Sequence, residues 1–268
     1  MKITKLLPAV VLFSTSLLFF CGKTAAAEEG VNQDGVIEFT NGTEIDHIVD
    51  PEHPEIPVDP GESPSTTGRL RIDFVPQLNF SSNIISDKEV SYPVNAQLFL
   101  DDTSPRGNFI QVSDYRTTAT AQGWTLQVRQ ESQFTNSNTT NSSLNGAVLS
   151  FDKSWTSTPN SKTSAPVVSS EVIRLNNIGD TYVLATAGKN SGAGTWSISF
   201  GASPEHTDGQ ASTLTPKVDK DGAPLLDASF NNQQVHENSA IKLTVPRGTT
   251  VDPVPYSTVI TWILAELP

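Results

Sequence analysis

Residues 259–268 read VITWILAELP, and residues 123–130 read GWTLQVRQ. In both, a tryptophan and a leucine stand two positions apart inside a run that alternates large apolar residues with others. On a strand, positions i and i+2 point to the same side. Trp124 and Leu126 then share a face with Val128, and Trp262 and Leu264 share one with Ile260. Each motif is one apolar stripe, and the stripe reads as strand rather than helix.

The same period-two texture fills the chain from Arg69 onward. LRIDF, NFIQVSD, AVLSF, VVSSEVIRL, TYVLATA, TWSISF and IKLTV alternate in this way, separated by Gly, Pro, Asn, Ser and Thr. No long stretch carries a helical period with caps. Residues 69–268 therefore predict one all-β domain, an antiparallel β-sandwich large enough for a continuous core without staples. Polar connections fall at TNSNTTNSSLNG, residues 135–146, and PEHTDGQ, residues 204–210.

The N-terminus has a different texture. Lys2 and Lys5 precede an apolar run that reaches Phe20, and Ala25, Ala26 and Ala27 follow, which reads as a secretory signal peptide, residues 1–27, cut after Ala27. The run is short for a bilayer span, and no later stretch of about 20 apolar residues exists. Cys21 is the only cysteine. The bulky Phe20 before it argues against lipoprotein processing, so the expected mature chain has no disulfide, thiol nucleophile or thiolate metal site. Export without disulfides suits a Gram-positive bacterium.

Residues 28–68 carry 11 Asp or Glu and no Lys or Arg, and DPEHPEIPVDPGESP sets prolines at 51, 54, 57, 60 and 64. Proline removes backbone donors and like charges repel, so the sequence predicts an extended acidic spacer over 28–68, with GVIEF at 35–39 as one short strand or simply tail. In polyproline II form residues 51–64 would span on the order of 43 Å. The whole chain has a net charge of −12, which disfavours nucleic acid and anionic membranes as partners.

Catalytic signals are missing. There is no GxSxG, and the serines lack a neighbouring histidine. His47 and His53 fall in the spacer and His206 and His236 in turn-like contexts, with no metal-ligand spacing. Asp101 with Asp102 and Asp219 with Asp221 are the carboxylate groups worth noting. The second begins like a calcium loop, yet it lacks the alternating third ligand and the terminal glutamate, and Asp221-Gly222 is also a hairpin-turn dipeptide. The sequence thus predicts no catalytic residue, no metal and no cofactor. The two tryptophan stripes are either inward-facing core or an exposed platform whose indole faces stack on sugars or a partner.

LRIDFVPQLNF at 70–80, GNFIQVSDYRTTATAQGWTLQVRQESQF at 107–134, AGTWSISFG at 193–201 and SAIKLTVPRGTTVDPVPYSTVITWILAELP at 239–268 resemble the WxL family of Gram-positive surface proteins. The resemblance runs from about Leu70 to Pro268 and includes the acidic proline-rich stretch before it. It implies a secreted protein held non-covalently on the cell wall by binding peptidoglycan, with Trp124, Leu126, Trp262 and Leu264 as the motif residues. Gln111, Asp114 and Arg116 beside the first motif are candidate flanking contacts, with an internal ion pair as the alternative for Asp114 and Arg116. The resemblance further implies a wall-anchored partner protein in a surface complex, and contact of some such complexes with host extracellular-matrix proteins. An attachment made mainly through the partner, by strand addition at an exposed sheet edge, stands beside direct wall binding.

Overall fold

Alternation becomes sheet because each strand can bury one set of side chains while its backbone groups pair with a neighbour. The computed structural model describes residues 45–117, 122–159 and 163–268. Every described residue belongs to one compact unit, Gly42–Pro268. The expected signal peptide, residues 1–27, and the part of the expected spacer up to residue 44 lie outside the described residues.

The strands in chain order are β1 (Ile48–Val49), β2 (Pro57–Val58), β3 (Leu70–Phe74), β4 (Val90–Asn95), β5 (Asn108–Asp114) and β6 (Trp124–Gln130). There follow β7 (Val148–Phe151), β8 (Ser154–Ser157), β9 (Val167–Val168), β10 (Ile173–Leu175), β11 (Thr181–Ala187) and β12 (Gly194–Phe200). The last are β13 (Leu214–Pro216), β14 (Leu226–Asp227), β15 (Gln233–Gln234), β16 (His236–Val245) and β17 (Ile260–Glu266). Among the described residues a single 3₁₀ turn, Ala228–Phe230, interrupts the strands.

The all-β, antiparallel expectation holds among the described residues. One four-stranded sheet runs β17-β6-β11-β9 and another runs β3-β5-β12-β8. At their borders β17 lies next to β3 and β9 next to β8, so the two sheets face each other. A five-stranded sheet is built around β16, which pairs with β4, β7 and β13, while β10 pairs with β7. All three sheets contribute to one core: Ile110 and Val112 of β5, Leu126 of β6, Phe151 of β7, Ile198 of β12 and Ile241 of β16.

The acidic proline-rich stretch departs from the spacer expectation in its described part. Instead of projecting as polyproline, residues 45–68 fold back along the sheet that contains β5. Val49, Asp50, Glu52 and Val58 are buried, and β1 pairs with β2 as a small hairpin. The physical reason lies in β5, which is buried along its whole length on both faces. Its inward residues join the common core, while Phe109 on the other face packs with Phe74 and Phe99 and needs its own cover. Val58 and Ile48 supply that cover.

Polar contacts then fix the strap. Arg106 donates from Nε and Nη2 to the Asp50 carboxylate at 3.0 Å each, and the Ser203 amide donates to Glu52 Oε1 at 2.7 Å. Further on, Ser63 and Thr66 take the outer-edge amides of the β3 region: Ile72 N donates to Thr66 Oγ1 and Val75 N to Ser63 Oγ. Two carboxylates of what the sequence presents as a repelling run, Asp50 and Glu52, are thus met by specific donors. The domain starts before residue 69.

Candidate functional site

The two tryptophan-leucine motifs meet. β6 and β17 pair antiparallel with Trp124 opposite Glu266, Leu126 opposite Leu264, and Val128 opposite Trp262. Just beyond the strand ends, Glu131 N donates to Val259 O at 2.9 Å and Leu267 N to Gly123 O at 3.1 Å. Antiparallel ladders alternate bonded and non-bonded pairs, so those two bonds fix the parity. Leu126/Leu264 and Val128/Trp262 are non-bonded pairs, in which opposing side chains come closest.

The two halves of the motif differ in burial. Trp124, Leu126 and Val128 are fully buried, with Thr125, Gln127 and Arg129 between them half-buried on the other face. The Trp124 indole Nε1 donates to Gly192 O at 3.1 Å, which removes the cost of burying an indole N–H. Gly192 itself has φ +68°, and a Cβ there would come within 2.4 Å of Ala187 Cβ and 2.9 Å of Trp124 Nε1. Ile260, Trp262 and Leu264 are only partly buried as they pack on the common core. Trp262 stands edge-on to Phe151 at 6.0 Å, tying β17 to the five-stranded sheet.

Of the flanking residues Gln111, Asp114 and Arg116, the last two are brought beside the motifs and Gln111 lies on the other face of β5; all three are engaged internally. Arg116 binds Asp114 through two parallel bonds of 2.9 Å, donates from Nη2 to Gly123 O at 3.0 Å, and sets Nη1 2.6 Å from Glu266 Oε1. It thereby joins the residue before the first motif to the residue opposite Trp124. The hydrogen bonds from Arg116 to Asp114, then the charges of Asp114 and Glu266, raise the guanidinium pKa against the opposing effect of burial. Gln111 is fully buried and faces the strap: its Oε1 accepts from Val49 N at 2.9 Å and its Nε2 donates to His47 O at 3.0 Å. For Asp114 and Arg116 the ion-pair alternative is the arrangement present.

Trp262 is the motif residue that reaches open space. With Ile260 and Thr261 it borders a groove of about 1320 Å³ whose other lining residues include Leu78, Phe80, Ile84 and Tyr256. Ile84 is 90 % exposed on the rim. The loop carrying Tyr256 is held by Asp252, which accepts hydrogen bonds from the Thr139 hydroxyl, from Asn141 N at 2.8 Å and from Asn141 Nδ2 at 2.7 Å. Tyr256 Oη donates to Asn141 O at 2.7 Å and accepts from Asp252 N at 3.0 Å. These bonds place the Asp252 carboxyl below its ordinary value, the Thr139 hydroxyl contributing most.

Sequence reasoning did not single out Glu266, Gly192, Phe151 or Asp252. Glu266 stands inside the quoted stretch, four residues after Trp262, but its partner Arg116 is distant in sequence. The remaining polar candidates close local structure. Asp219 accepts from Asp221 N and Ala223 N, both at 2.9 Å, around Gly222 at φ +83°. Asp101 accepts from Asp59 N at 2.6 Å and Thr103 N at 2.8 Å. His206 stacks on Trp155 at 4.5 Å, and His236 Nδ1 lies 3.0 Å from Gln234 O.

No helix among the described residues is long and apolar enough to cross a membrane. No curated protein and no solved structure matches the chain. The family described as WxL domain surface cell wall-binding does match, over residues 26–268. With both motifs paired on β6 and β17 and the match spanning nearly the whole sequence, the chain belongs to this family of cell-wall-binding surface proteins.

Proposed function

We propose that the protein is exported, and that this domain holds it non-covalently on the peptidoglycan wall of a Gram-positive bacterium with β17 as its working edge. The observation that carries the reading is the unequal burial of the motifs. Trp124 and Leu126 are inside the core and build the sheet, whereas Trp262 is half-buried beside an open groove. The motif therefore acts by presenting β17, and one indole is available for contact. Contact rests on apolar packing, stacking and hydrogen bonding, since a chain of net charge −12 gains nothing from an anionic wall at long range. The protein works as a binding component and not as a wall hydrolase.

Retention of the folded protein on purified sacculi tests the direct version. Loss of retention in Trp262→Ala with an unchanged fold supports it. A second reading is favoured by the position of β17 at the border of its sheet. In that reading the protein sits in a surface complex, tethered through a wall-anchored partner protein, and displays contacts to host extracellular-matrix protein.

A further inference from the structure

β17 ends its sheet: its seven residues pair with β6 on one side only. The parity set by Glu131 N to Val259 O and Leu267 N to Gly123 O assigns the amides and carbonyls of Thr261, Ile263 and Ala265 to β6. Those of Ile260, Trp262 and Leu264 point the other way. Among the described residues no hydrogen bond reaches them. The facing sheet treats its matching border differently, since β3 is covered by Thr66 and Ser63 of the strap. One border of the domain is thus capped and the adjacent one is left open, with an apolar groove beside it.

Natural proteins blunt long open edges with prolines, charges or bulges. ITWILAE has no proline, no bulge against β6 and one charge, at its end. We infer that the open edge of β17 is completed by an extended polypeptide segment donated by another protein already on the wall, which adds as a strand and sets alternate apolar side chains into the groove beside Trp262. This rests on the reading that β17 is the attachment edge, and it takes the route through a protein partner. An extended peptide suits the edge because it repeats a donor and an acceptor at the spacing of the free groups on Ile260, Trp262 and Leu264. A glycan strand carries no such repeat. The net charge of −12, with Glu62 and Asp252 on the groove lining against Lys88, fits a segment that is neutral or basic.

Proline separates backbone from side chain here. Leu264→Ala and Leu264→Pro both truncate the side chain, but only proline removes the outward amide, and neither touches a bond to β6. The probes are cell walls of a Gram-positive bacterium with their proteins left in place, and the same walls stripped by detergent and protease. The intact protein is expected to bind the unstripped walls more tightly than the stripped ones, with the amides of Ile260, Trp262 and Leu264 protected from hydrogen exchange on the unstripped walls alone. Leu264→Ala is the reference for loss of the side chain, and Leu264→Pro is expected to bind about tenfold or more weaker than Leu264→Ala, the equivalent of one or two hydrogen bonds. Equal binding by the two variants, or binding that leaves the three amides exchanging, overturns the inference while leaving wall attachment standing. Undiminished binding to stripped walls overturns it in favour of direct peptidoglycan contact. Protection of the same amides in a concentration-dependent dimer without walls assigns the edge to a second copy and also overturns it. Binding to neither wall preparation overturns the attachment reading itself.

Discussion

Leu126 and Leu264 stand directly opposite each other in a non-bonded pair of the β6–β17 ladder. Their separation in the chain is long, yet their side chains share the inner face of one sheet, so the two motifs make a single apolar patch. The patch is graded: its β6 half is sealed and its β17 half is open on one border. That gradient separates structural from contact residues.

Fluorescence quenching reads the gradient directly. Trp124, Trp155 and Trp196 are buried and Trp262 is half-buried. Acrylamide is expected to quench one accessible indole, and Trp262→Phe is expected to remove that component. A Trp124→Ala variant is expected to lose about 3 to 5 kcal/mol of stability in denaturant titration, because it opens a cavity in the core and orphans the Gly192 carbonyl. Quenching that survives Trp262→Phe undiminished contradicts the assignment.

The clamp on Arg116 predicts an asymmetric response. The Asp114 side chain is 2 % exposed and that of Glu266 is 55 % exposed. Removing Arg116 as Ala leaves a buried carboxylate without its cation and is expected to cost about 3 kcal/mol or more. Removing the Glu266 charge as Gln weakens an exposed pair and is expected to cost less than about 1 kcal/mol. Similar losses for the two variants, measured by thermal unfolding, contradict the clamp.

What the sequence made legible follows from what local pattern can encode. Period two identified β5, β6, β11, β12, β16 and β17, and the shared side of Trp124, Leu126 and Val128 is the side they occupy. Register is a long-range property, and nothing near Trp124 reveals that Glu266 lies opposite it. The strap departs from the spacer expectation for the same reason. DPEHPEIPVDP has the composition of an extended spacer, and only the apolar outer face of β5 and the cation of Arg106 make it fold back. The inward or outward sense of the tryptophans was open in the sequence because burial depends on a strand's place in its sheet, and β17 is at the border.

The strap supplies its own test. Arg106 is buried with Asp50 at 3.0 Å and Glu52 at 3.6 Å. Arg106→Met leaves both carboxylates buried without their cation and is expected to cost about 3 to 5 kcal/mol. Proteolysis within residues 45–60 is expected to accelerate in this variant before the core strands become susceptible. A free spacer would be cleaved at the same rate in both proteins.

Acid is expected to loosen one loop selectively. Hydrogen bonds from the Thr139 hydroxyl and from Asn141 hold the Asp252 carboxyl below its ordinary value of 3.8. A carboxyl depressed in the folded state contributes stability above its unfolded value, and that contribution is lost as the pH falls through the folded value. Protection of the Asn141 amide, which donates to Asp252, is therefore expected to be steady above about pH 5 and to fall progressively below about pH 4. The β6 amides have no titrating acceptor and are expected to stay protected across that window. In Asp252→Asn the Asn141 amide has a neutral acceptor at every pH, so its protection is expected to be lower at neutrality and flat with acid. Hydrogen exchange followed residue by residue from neutral to acid pH separates these patterns, and a loop whose protection ignores acid in the unmodified protein would show that Asp252 does not hold it. Because Asp252 and Tyr256 fix the loop that lines the groove beside Trp262, retention on cell walls is expected to weaken in the same acid window.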